Sequence, residues 1–122
     1  MSHTAPSEPP PAGLPPLVRL RHVSGVLGSF TCAPSGQLLD NHMPERFSLA
    51  QLESTAARLT NMFQTVDDAV PDCDSIKLAF SDNQLIVRRY PLGLLCILTA
   101  AECDHQMLLV TTRLVLRQLA HA

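Results

Sequence analysis

The chain has 122 residues, 46% of them apolar, which is room for one domain built around one core. Nine Lys and Arg against eleven Asp and Glu leave a formal charge of −2, and no basic cluster goes beyond Arg88-Arg89, so the electrostatic footprint of a nucleic-acid binder is absent. Charged residues reach only 16%, against about a quarter in an average domain, which points to a surface partly covered in an oligomer.

Cys32, Cys73, Cys96 and Cys103 show neither a C-x-x-C pair nor a disulfide-framework spacing, and no apolar stretch near the start serves as a secretion signal. Reduced thiols and a cytoplasmic location are expected. The longest apolar run, Leu92 to Ala101, is about half the length of a membrane span, so no transmembrane segment is expected.

Residues 1–16 hold most of the ten prolines, with Ser, Thr and Glu between them, and read as a disordered Pro-rich tail; the domain is expected over 17–120. Pro15 and Pro16 suit the first turn of a helix, and Leu17, Leu20 and Val23 give it a short apolar stripe of two turns at most. Ser24-Gly25 ends it. Val26 to Ala33 reads as a strand with Val26, Gly28, Phe30 and Cys32 on one face, and Pro34-Ser35-Gly36 turns it back into a second strand over Gln37 to Asn41.

The strongest element is a helix from Ser48 to Val70. Ser48 with Gln51 has capping-box spacing, Phe47 with Leu52 has that of a hydrophobic staple, and Leu49, Leu52, Ala56, Leu59, Phe63, Val66 and Val70 form one apolar stripe. The opposite face carries Ala50, Ser54, Ala57, Asn61 and Thr65, without a charge. Two readings stand side by side: a close-approach face for a second helix, most simply that of a second copy, or a plain solvated face.

Pro71 and Asp72 close the helix, and three strands follow over Ser75 to Phe80, Gln84 to Tyr90 and Leu92 to Thr99. The last is apolar on both faces, so it belongs in the middle of a sheet covered on both sides. A final helix opens at Asp104, with Leu108, Thr111, Val115 and Leu119 near one face and Arg113, Arg117 and His121 toward its end. The order is α+β, one antiparallel sheet between helices.

Catalytic signatures are weak. Cys103-Asp104-His105 places a thiol beside an imidazole, with the helix start expected to lower its pKa, but the same residues make an ordinary capped helix start. The five histidines are scattered without metal-ligand spacing. The acidic residues Asp67, Asp68, Asp72 and Asp74 lack the alternating pattern of a calcium loop, and Gly25-x-x-Gly28 lacks the Lys and helix of a phosphate loop. No enzyme activity, cofactor, metal or nucleotide site is expected.

Ser24-Gly25-Val26, then Pro34-Ser35-Gly36-Gln37-Leu38-Leu39, then a long helix and Ile76-Lys77-Leu78 to Gln84-Leu85-Ile86-Val87 resemble the roadblock/dynein light chain family over roughly Leu17 to Leu119. The resemblance implies a profilin-like, five-stranded antiparallel sheet with the long second helix on one face and the first and last helices on the other. It also implies pairing through the long helix and the next strand, hence a homodimer interface containing Ala50, Ser54, Ala57, Asn61, Ile76 and Leu78. Family members are platforms for small Ras-like GTPases or light chains of motor complexes, and bacterial members accompany gliding-motility GTPases. The expectation is therefore a non-catalytic homodimeric module that regulates or scaffolds such a GTPase, with Glu53, Arg58 and Gln64 flanking the small-residue stripe as partner contacts. The alternative is a light-chain-like structural subunit with no GTPase partner. The first helix is shorter than is usual in the family, and eight Arg to one Lys fits a GC-rich, bacterial source.

Overall fold

A computed structural model describes residues 15–70 and 72–120, so the expected tail up to residue 14, the helix stop at Pro71 and the role of His121 lie outside the described residues. The elements are α1 (Pro16–Arg21), β1 (Val26–Cys32), β2 (Leu38–His42), α2 (Leu49–Ala69), β3 (Ser75–Ala79), β4 (Asn83–Tyr90), β5 (Gly93–Ala100) and α3 (His105–Ala120). The strands make one antiparallel sheet in the order β2-β1-β5-β4-β3. β5 is central and buried over seven of its eight residues, as its double-sided apolar run requires.

Two cores lie on the two faces. Leu52, Ala56, Leu59 and Phe63 of α2 close over Phe30, Cys32, Val87, Cys96 and Leu98. On the other face, Leu17 and Leu20 of α1 and Leu108 and Val115 of α3 close over Val26, Tyr90, Leu95 and Ile97. This is the α+β arrangement of a five-stranded sheet with the long helix on one side and the two shorter helices on the other.

The alternation read along β1 fails at its start. Val26 pairs with Thr99 and Gly28 with Leu98, so Leu27 is the extra residue of a bulge. Val26 consequently joins the α1/α3 core, while Leu27 packs with Phe30 and Cys32 against the α2 side. Arg21 of α1 donates to the Leu27 carbonyl at 2.8 Å, which satisfies an oxygen that the disturbed ladder leaves over.

Gly25 explains the Ser24-Gly25 break. Its φ is +94°, and a Cβ there would come within 2.5 Å of the Glu102 carbonyl oxygen. The Ala100 amide donates to the Gly25 carbonyl at 2.7 Å and the Asp104 amide to that of Ser24 at 3.1 Å. The turn after α1 is thereby fastened to the lead-in of α3, a packing role for a glycine that no phosphate loop requires.

Candidate interaction surface

Both signals at the start of α2 are realised. The Gln51 amide donates to Ser48 Oγ at 3.1 Å and the Ser48 amide to Gln51 Oε1 at 2.8 Å, and Phe47 packs on the core beside Leu52. With the helix oriented by Leu52, Ala56, Leu59 and Phe63, its apolar stripe is covered in the middle only: Leu49 stays 59% exposed and Val70 55% exposed. Those two ends overrun the sheet.

The crest of α2, away from the sheet, carries Ala50, Ser54, Ala57, Asn61 and Thr65, all exposed. The threonines of α2 are less polar than they read. Thr65 donates its hydroxyl to the Asn61 carbonyl at 3.1 Å, and Thr55 and Thr60 do the same to Gln51 and Ala56 at 2.9 Å, so each donor is spent inside the helix. The crest is bounded at Ala57 by the β1–β2 turn, where a Cβ on Gly36 (φ +92°) would lie 3.3 Å from the Ala57 Cα.

The three expected partner contacts do not form one patch. At about 100° per residue, Glu53 and Gln64 lie on the flank of the helix that carries Ala57 and faces the β1–β2 turn, whereas Arg58 lies on the other flank. That second flank includes Thr55, which lines a cleft together with Phe80 and Asn83 and so faces β3 and its hairpin. Ile76 and Leu78 point toward the α2 layer, half-buried against its core, and Ser75, Lys77 and Ala79 of the same strand are exposed. β3 is an edge, with β4 as its one partner among the described residues, and its outer backbone groups are free to pair with a further strand.

Two clefts beside α2 were not legible in the sequence. One, of about 290 Å³, lies between the start of α2 and the β3–β4 hairpin and is lined by Phe30, Phe47, Leu52, Phe80 and Leu85 among others. The other, of about 240 Å³, lies by the end of α2 and takes in Gln64, Asp67, Arg89 and Tyr90. There Arg89 donates to Asp67 Oδ1 at 2.8 Å and sits 4.6 Å above the Phe63 ring. The Phe63 and Asp67 spacing of four is the only sequence trace of that arrangement.

Two of the thiols are pushed toward their protonated form. Asp104 caps α3, accepting from the Met107 amide at 3.0 Å. Burial and then the Asp104 charge raise the Cys103 pKa, the reverse of the lowering expected from a helix start. Cys96 is fully buried, and its pKa is raised well above the usual thiol value by its hydrogen bond with Cys32 and by desolvation. Among the described residues no group of three or more His, Cys, Asp or Glu converges as metal ligands, and no helix is long and apolar enough to cross a membrane.

No protein-family model matches the chain, and no curated protein matches it in sequence. Solved structures do. A Roadblock/LC7 domain from Streptomyces avermitilis superposes with a TM-score of 0.73 at 12% identity, covering 85% of this chain and 91% of that one. The gliding protein MglB from Thermus thermophilus gives 0.74 at 11% identity, covering 87% and 84%, and MglB of Myxococcus xanthus gives 0.72 at 10%, covering 84% and 87%. At these identities the likeness is one of fold: the sheet and three helices are those of a roadblock domain.

Proposed function

We propose that this chain is a non-catalytic, homodimeric module of the bacterial cytoplasm that binds a small Ras-like GTPase and regulates or scaffolds it. The observation that carries the reading is the α2 crest, an uncharged stripe of small residues beside an open sheet edge, in a fold shared with gliding-motility proteins. An antiparallel two-fold between Ala57 and Arg58 sets Ala50 against the partner's Thr65 and Ser54 against the partner's Asn61. Small side chains then oppose small ones on either side of the axis, and at the axis Ala57 leaves room for the stem of the partner's Arg58, whose guanidinium reaches outward. β3, carrying Ile76 and Leu78, lies alongside and extends the contact.

Arg58, Glu53 and Gln64 flank this seam and are the proposed GTPase contacts, reached from two sides of a paired platform. The four free cysteines fit a reducing compartment. Asn61→Arg is the better probe of the crest than a change at Ala57, because Ala57 also abuts the Gly36 turn. It should halve the mass seen by light scattering, preserve the circular dichroism spectrum and abolish nucleotide-dependent recovery of a GTPase from the native source. Arg58→Ala should keep the mass and weaken recovery. An unchanged mass for Asn61→Arg would place the interface elsewhere; recovery of a partner equally with GDP and a GTP analogue would support the light-chain-like subunit, which the sparse surface charge also fits.

A further inference from the structure

We infer that the outward face of α3 is a second interface between copies of this chain, on the sheet face opposite the α2 crest. α3 turns Leu108, Thr111, Thr112 and Val115 to the core. Yet Met107, Val110 and Leu114 on its outer arc are 51%, 54% and 41% exposed. Exposed apolar side chains grouped outside the core stripe of a helix mark a surface that a partner can cover. Among the described residues α1 packs on α3 from one side, where Arg19 bonds Gln118, and the outer arc stays exposed.

The shape and charge of the arc select its occupant. Met107, Val110, Leu114 and Arg117 are spaced three, four and three apart, the period of a seam between two helices. Acidic residues, Glu102 and Asp104, stand at the start of α3, and basic ones, Arg113 and Arg117, in its second half. A two-fold between Val110 and Thr111 therefore sets Met107 against the partner's Leu114 and the acidic end of one helix against the basic end of the other. The same two-fold sets Asp104, which accepts from the Met107 amide through one carboxylate oxygen, at the end of the seam that holds the partner's Arg117. An anionic lipid surface would be attracted by one end and repelled by the other, and a partner of a single charge sign would match only half. A second copy matches both ends at once.

A single helix pair of this length covers less than the roughly 800 Å² per partner of a standard interface, so pairing through α3 is concentration-dependent. Copies already joined along α2 present two such faces, so pairing through α3 carries assembly beyond the dimer. The inference does not require the α2 pairing.

Sedimentation velocity of the full chain over a concentration series tests it. The average mass of the wild type should rise with concentration. Leu114→Arg and Arg117→Glu should remove that rise while keeping native circular dichroism; Leu109→Arg, on an arc about 100° round the helix from Val110, should not. In an Asn61→Arg background, where the crest is blocked, α3 pairing should persist as a monomer–dimer equilibrium and be lost on adding Leu114→Arg; this separates its failure from failure of the α2 platform. A folded Leu114→Arg protein that associates like wild type, or equal loss of association in Leu109→Arg, overturns the α3 interface.

Discussion

Thr99 lies in the central strand, fully buried, and its hydroxyl has no hydrogen-bond partner among the described residues. Its pairing with Val26 and Gln84 puts it on the α1/α3 face, at the bulge in β1. A buried hydroxyl without a partner costs about 1–3 kcal/mol. Thr99→Val replaces it with a methyl of nearly the same volume, keeps the β-branched shape that suits a strand and opens no cavity. The substitution should therefore stabilise the domain by about 1–2 kcal/mol. At about 4 °C or more per kcal/mol for a domain of this size, the midpoint of thermal unfolding rises by several degrees. Urea unfolding and a thermal scan, both at one fixed protein concentration because association shifts the apparent midpoint, measure it. A loss of 1 kcal/mol or more would mean that the hydroxyl is satisfied in the folded protein, by a bound water or by residues beyond those described, and the reasoning would fail.

Ser48→Ala removes the side-chain half of the capping box and should cost about 1 kcal/mol in urea unfolding; no change would show that the α2 start is held by packing alone. Gly93→Ala would drive a Cβ into the Cys32 carbonyl oxygen at φ +154°, so β1 and β5 must separate, and a loss of several kcal/mol is expected; a native-like midpoint would refute the clash. Cys103, with its pKa raised by burial, should react with a thiol reagent only at higher pH than a free cysteine does. By linkage, the stability that its protonated form contributes is complete below the unfolded thiol pKa and fades as pH rises through the folded one. Rapid labelling at neutral pH, followed on a Cys103→Ser control, would show an activated thiol instead.

Local signals were legible because each is enforced within a few residues. The capping box at Ser48 needs only Gln51, the staple needs only Phe47 and Leu52, and the double-sided apolar run of β5 can be satisfied only in the middle of a sheet. The small-residue crest of α2 was likewise visible, since helical period alone places Ala50, Ser54, Ala57, Asn61 and Thr65 opposite the buried stripe. What tertiary structure decided is what depends on a neighbour far along the chain. The β1 bulge, which moves Val26 to the opposite core, is set by pairing with β5 some seventy residues away. Arg89 reaches Asp67 and Phe63 only because β4 passes under the end of α2. Helical period alone divides Glu53 and Gln64 from Arg58, and tertiary structure decides only that the first flank faces the β1–β2 turn and the second the β3–β4 hairpin. The inward face of α3 was legible as well, since helical period groups Leu108, Thr111, Val115 and Leu119 on one side and the structure buries the first three. What only the tertiary structure decided is how much of the rest of that helix its neighbours reach: α1 and the sheet cover Leu108 and Val115 and leave Met107, Val110 and Leu114 exposed, because that cover depends on elements far along the chain.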